Sequence, residues 1–242
     1  SSAMKTLLGI LLGAVIASAS ALKAGEFTGG SIGVSYSAFT QDGDFDHLSL
    51  EGSAEFAFGR QFSGQFDVGS DRFGASDLEA LTLGVHGIYH LTDVTSLGAF
   101  YTREDVEFQG ASSDVNIYGV EARHDAGQLS FAGFLGYAET QVDDGGVWGL
   151  ATRYTMANDI GVSGLYEHID VNGLEGGKVA LRLDGDVSAN LNMFVEVGSA
   201  KARAFGVWDS EPYVGLGGKL LLGPNRGATF ERRGLSRVLP GL

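Results

Sequence analysis

The sequence predicts an all-β chain: a transmembrane, antiparallel, up-and-down β-barrel of about twelve strands behind a cleavable signal peptide. Three observations predict it. Apolar and polar residues alternate with period two through most of the chain, glycine is abundant (38 of 242 residues) while proline is scarce (3), and no apolar run after the N-terminal segment reaches the length of a membrane helix. A soluble protein gathers its apolar residues into one core, whereas a membrane barrel turns them to lipid at every second position and keeps its mean hydropathy near zero.

The N-terminal segment is read first. Lys5 precedes an apolar run from Leu7 to Ala17, and the small residues Ala17 to Ala21 follow. This is the pattern of a secretory signal peptide, too short to span a bilayer and ending in an Ala19-x-Ala21 cleavage site. Ser1 to Ala3 precede Met4 and are read as a cloning remnant or the product of a misplaced start codon. The expected division is therefore 1–21 as leader and signal, 22–222 as barrel, and 223–242 as a tail.

Cysteine is absent, so neither disulfides nor thiol chemistry contribute, although export implies a compartment that permits them. The net charge of −14 argues against nucleic acid as a partner, which requires a basic face.

Along the chain, Leu48, Leu50, Gly52, Ala54, Phe56 and Phe58 share one face of an extended segment, with Ser49, Glu51, Ser53 and Glu55 on the other. Leu81, Leu83, Val85, Gly87 and Tyr89 stand against Thr82, Gly84, His86 and His90 in the same way. Segments of this kind predict strands at 30–39, 48–59, 62–70, 79–91, 95–103, 114–124, 128–140, 146–156, 159–169, 177–187, 190–202 and 212–222. Tight turns, such as Asp125-Ala126-Gly127, are expected to alternate with longer polar loops at Thr40 to Asp46, Glu104 to Ser113, Asp143 to Gly146 and Asp170 to Gly176. Short periplasmic turns and longer external loops would place both chain ends in the periplasm. A soluble β-sandwich, the competing architecture, predicts no such alternation.

Aromatic residues are expected in two belts at the lipid boundaries. Phe39, Tyr101, Tyr137, Trp148, Tyr166 and Tyr213 form the belt near the loops, and Phe56, Phe58, Phe62, Tyr89 and Tyr154 the belt near the tight turns. The tail carries Arg226, Arg232, Arg233 and Arg237 against the single Glu231, between Pro224 and Pro240. Such a segment is not expected to cross a membrane, and its expected place is the periplasm or the pore mouth, where it either folds or stays disordered.

The signal peptide, strands such as Gly30 to Phe39 and the glycine and aromatic rhythm through Leu222 resemble the porin-like outer-membrane proteins of Gram-negative bacteria. The resemblance covers nearly all of the mature chain but has no diagnostic motif. It implies a water-filled lumen, insertion by the outer-membrane assembly machinery, and contact with outer-membrane lipid and lipopolysaccharide. Members commonly end on a strand with a terminal aromatic residue, whereas the last strand here ends Lys219-Leu220-Leu221-Leu222 and a tail follows.

The faces opposite the lipid would line a pore for small hydrophilic solutes. They bear Glu51, Glu55, Asp67, Glu121, Glu167, Asp184 and Glu196 with Arg123, Arg153, Lys178, Arg182 and Lys219. Glu51, Glu55 and Asp67 on early strands and Arg153, Lys178 and Arg182 on later ones would set a field across the lumen. The alternatives are a closed structural or adhesive barrel whose charges pair and fill the interior, and a lipid-modifying enzyme. No catalytic triad, cofactor motif or metal site is read from the sequence. His86 and His90 lie about 13 Å apart along a strand, too far to chelate one ion. The acidic loops at Asp42 to Asp46 and Asp143-Asp144 lack the spacing of a calcium loop.

Overall fold

A computed structural model describes residues 25–41, 46–74, 78–141, 143–171, 174–204 and 207–238, with the backbone alone at Leu174, 202–204 and 207–209. Twelve strands run in chain order: β1 (Glu26–Phe39), β2 (Asp46–Ala57), β3 (Phe62–Phe73), β4 (Leu78–Thr92), β5 (Thr95–Phe108), β6 (Ala111–Ala126), β7 (Leu129–Thr140), β8 (Asp144–Thr155), β9 (Gly161–Val171), β10 (Leu174–Ser188), β11 (Leu191–Ala204) and β12 (Val207–Leu222). Each pairs antiparallel with the next, and β12 closes the sheet onto β1 from Gly30↔Leu222 to Phe39↔Tyr213. All the expected strands are present, in the expected order.

Period-two alternation produces the two faces. On β4, Leu83 and Val85 are 54% and 44% exposed while Gly84 between them and Thr82 and His86 on either side are buried. Val34, Val120, Leu135, Leu150, Leu181, Val195 and Leu216 continue that exposed apolar surface around the barrel. A continuous apolar belt of this size on a monomer is a surface made for lipid.

Most strands are longer than expected. They run from 11 residues in β9 to 16 in β6 and β12, and all but β9 exceed the roughly 9 to 11 needed to cross a bilayer. Most of the segments expected as long loops are strand ends. The stretch from Glu104 to Ser113 is a continuous hairpin turning only at Gln109 and Gly110, whose φ values of 50° and 81° match a tight two-residue turn of the primed type. Asp144 and Asp170 likewise lie in strands, and residues 42–45 and 172–173 fall outside the described residues. Hydropathy misses these extensions because a strand that rises above lipid into water no longer needs an apolar outer face. Strict alternation of short and long connections is therefore not a property of this barrel.

The aromatic belts are formed in part as expected: Tyr101, Tyr137, Tyr166, Phe58, Phe62 and Tyr154 are exposed on the outer face. Phe56 has outward parity but is covered by Phe27 and Phe66. Tyr213 is a correction. It points into the barrel, is 2% exposed, and its hydroxyl donates to Glu196 Oε1 at 2.6 Å.

The tail is the largest departure from a plain barrel. The start of β1 and the end of β12 lie at the same rim, and from there Gly223 to Val238 turns inward and climbs the interior. Asn225 N donates to Thr28 O at 2.9 Å near the entry rim. At the far end Val238, after a single 3-10 turn at Leu235–Arg237, packs with Phe100, Val115, Ile117, Val147, Ile169 and Val171. A basic tail lying free of the barrel is thus not what forms, because the interior offers it both apolar contacts and buried carboxylates.

Candidate pore lumen

All twelve charged residues expected to line the interior, Glu51, Glu55, Asp67, Glu121, Arg123, Arg153, Glu167, Lys178, Arg182, Asp184, Glu196 and Lys219, stand at interior-facing positions of their strands. They divide into two walls with different chemistry.

On β8 to β12 and β1 the charges pair within the sheet. Arg182 faces Glu196 and Lys178 faces Glu167 directly across neighbouring strands, at 2.6 Å and 3.1 Å. Arg153 reaches over β9 to Asp184 at 2.7 Å, and Gly161 makes room, since a Cβ there would lie 2.3 Å from the guanidinium. Lys219 bridges to Glu51 at 2.9 Å, and Arg182 stacks over the Phe194 ring at 4.1 Å. The basic residues expected to oppose an acidic wall are thus neutralised by close neighbours.

On β2 to β6 the interior is acidic. Glu55, Asp67, Asp71, Glu104 and Glu121 are each less than 5% exposed. Isolated buried carboxylates are costly, so each requires a cation or several donors. Histidines on the strands supply part: His86 sits between Asp67 Oδ2 at 2.7 Å and Glu121 Oε1 at 2.5 Å, and His47 bonds Asp71 at 2.9 Å.

The tail supplies the remainder. Arg232 Nη1 donates to Asp71 Oδ2 at 2.9 Å and to Thr82 Oγ1 at 2.8 Å, while Arg233 binds Glu121 Oε2 through two nitrogens at 2.9 Å and 2.8 Å. The Ser236 hydroxyl lies 2.9 Å from both Glu104 and Asp71, and its amide donates to Glu104 at 3.1 Å. Thr229 N donates to Glu55 at 2.7 Å, and Gln65 exchanges hydrogen bonds with both backbone groups of Phe230.

The strands are cut to fit this segment. A Cβ on Gly69 would lie 2.4 Å from Arg232 Nη1, and one on Gly98 would lie 2.8 Å from the Phe230 ring. Glycine permits that approach where another residue would block it.

On its other side the tail touches the paired wall lightly. Lys178 Nζ donates to Arg237 O at 2.7 Å, and Lys219 Nζ to Glu231 Oε2 at 2.7 Å. The Lys219 ammonium holds the Glu231 carboxyl well below the usual carboxylate range. Space remains here. A cavity of about 410 Å³ at the entry rim is lined by Arg153, Arg182, Asn192, Lys219, Arg226 and Arg237, and one of about 70 Å³ lies beyond it toward Glu51 and Tyr213.

Asp71, Glu104, His47 and Ser236 were not singled out from sequence. Asp71 and Glu104 lie just past the expected strand ends, so their interior parity was not assigned. Ser63 Oγ lies 2.8 Å from His90 Nε2, and His90 Nδ1 lies 2.9 Å from Ser96 Oγ. Glu55 Oε1 lies 3.5 Å from the same His90 Nε2 that meets Ser63, so Ser63 has a hydroxyl, not a carboxylate, on the far side of the imidazole. Among the described residues no group of three or more His, Asp or Glu is placed to hold a metal ion.

A closed, polar-lined barrel with an apolar outer belt has the architecture of transmembrane β-barrels, and this chain shares its fold with solved outer-membrane porins. The KdgM porin superposes with a TM-score of 0.59 at 14% identity, over 78% of this chain and 98% of that one. The KdgM porin in complex with disordered oligogalacturonate gives 0.60 at 14% identity over the same shares. A membrane protein solved in work on in-meso crystallization gives 0.56 at 10% identity, over 89% of this chain and 88% of that one. Identities this low establish the fold alone. No protein-family model matches the chain, and no curated sequence is significantly similar to it.

Proposed function

We propose that this barrel is an outer-membrane channel through which small hydrophilic solutes diffuse passively. The observation that carries the reading is the uneven filling of the lumen: the tail packs on β2 to β6 while a charged, water-accessible cavity of about 410 Å³ persists beside Arg153 and Asn192. Twelve strands lie between the small barrels filled by side chains and the sixteen-stranded porins with an open channel. A solved barrel of this fold, the KdgM porin, occurs in complex with disordered oligogalacturonate, which supports the channel reading. Export by the signal peptide, insertion by the assembly machinery and contact with lipopolysaccharide accompany this reading, as does a periplasmic location for the rim where the tail enters.

The tail also favours a second reading, a closed structural barrel, because it fills much of the interior. Purified protein in a planar bilayer separates the two. Discrete current steps that scale with salt are expected from a channel, and silence at all voltages would leave the closed barrel.

A further inference from the structure

We propose that the C-terminal tail is the selectivity element of the pore. It removes the acidic wall from the water path and confines solutes to a lane along β7 to β12 at the entry rim that continues past β1 and the Glu51 side of β2. This rests on the channel reading and goes beyond it by assigning the path and the residues that shape it.

Charge partitions the interior. Without the tail, the interior surface of β2 to β6 presents Glu55, Asp67, Asp71, Glu104 and Glu121, and a lumen edged by such a wall draws cations. With the tail in place, Arg232 and Arg233 spend their charge on Asp71 and Glu121, and the carboxylates are shut away from water. Thr102, on the same wall, is 0% exposed.

Space gives the same partition. The two cavities on the opposite side share four lining residues, Arg182, Phe194, Lys219 and the tail's Arg237. Those four therefore form the layer that separates the cavities, and a solute moving from one to the other must pass it. Three of them are cations, each held against a carboxylate: Arg182 on Glu196, Lys219 on Glu51 and Glu231, and Arg237 near Glu231 at 3.6 Å. This shared layer is thus dense in charge but balanced, so the native pore discriminates weakly between ions of opposite sign. Its preference is set by whether the tail's arginines stay on the acidic wall.

The seat is specific. Gly69 and Gly98 are hollows occupied by Arg232 and Phe230, and the reciprocal bonds between Gln65 and Phe230 fix the register of the tail along β3.

The test uses the full-length chain in planar bilayers. Arg232→Gln with Arg233→Gln should raise single-channel conductance and increase the cation-to-anion permeability ratio several-fold. The shift in reversal potential should shrink as the Debye length falls from about 10 Å at 0.1 M salt to about 3 Å at 1 M. A second measurement does not depend on the folding of that variant. The sequence contains no cysteine, so single substitutions report cleanly. Asn192→Cys in the lane should let a cationic methanethiosulfonate reagent block current, while Thr102→Cys behind the tail should be unaffected. Equal block at both positions, or unchanged conductance and selectivity in the folded double variant, would overturn the proposal while leaving the channel. Silence of the unaltered protein would overturn the channel reading itself.

Discussion

The two interior walls solve the same electrostatic problem in opposite ways. On β8 to β12 each interior cation meets a carboxylate on the next strand or the one beyond it, as in Arg182 with Glu196 and Arg153 with Asp184, so the pairing is complete when the sheet has formed. On β2 to β6 the carboxylates wait for a segment more than a hundred residues away, since Asp71 is answered by Arg232 and Glu121 by Arg233. A barrel can therefore close with one wall finished and the other provisional, and the second wall is where truncation or substitution of the tail is felt.

Breaking the comparison at its strongest point means removing one partner of a buried pair. Arg232→Gln leaves Asp71 without its guanidinium in a site less than 2% exposed, and should cost on the order of 3 to 5 kcal/mol in reversible urea unfolding. A cost below about 1 kcal/mol would show that water, not the tail, balances the acidic wall.

The outer face sharpens the distinction between inside and outside. Leu83→Arg places a charge toward lipid and should cost about 2 to 4 kcal/mol near the midplane, whereas Gly84→Arg places the same charge toward Asp67 in the interior. Equal effects at the two positions would contradict the parity of β4.

A smaller effect is expected on the finished wall. Arg182→Gln loses a partly exposed pair, but Glu196 keeps the Tyr213 hydroxyl, so the loss should be about 1 kcal/mol by the same unfolding measurement. A loss as large as that of Arg232→Gln would erase the difference between the walls.

The smallest effect is on acidification. Lys219 lowers the Glu231 carboxyl below its unfolded value, so this pair contributes stability that is present above about pH 4 and is lost as pH falls further. Glu231 is half exposed, so the change is slight. Glu231→Gln should flatten the acid limb of the stability profile, and an unaltered limb would show that the pair contributes nothing.

The fold was legible because its signal is local. Leu83, Val85, Thr82 and His86 announce their faces within a few residues, and repetition of that pattern twelve times defines the barrel. Tyr213 was legible too, since Val214 and Leu216 fix its parity as inward, but its position beside a loop drew it into the aromatic belt. The strand ends at Asp71 and Glu104 were not, because above the lipid both faces of a strand are polar and alternation vanishes. The seating of the tail lies furthest from view. Its residues carry no period, and the match of Arg232 to Asp71 exists only once β3 and the tail share an interior.

The residues between Leu222 and Thr229 make the tail a ligand that its receptor cannot lose. A short tether holds such a ligand at an effective concentration of roughly millimolar, so contacts too weak to capture a free peptide keep it bound. It rebinds faster than a competitor arriving from solution. Cutting the chain anywhere in that tether would convert a permanent occupant into an ordinary, dilutable one.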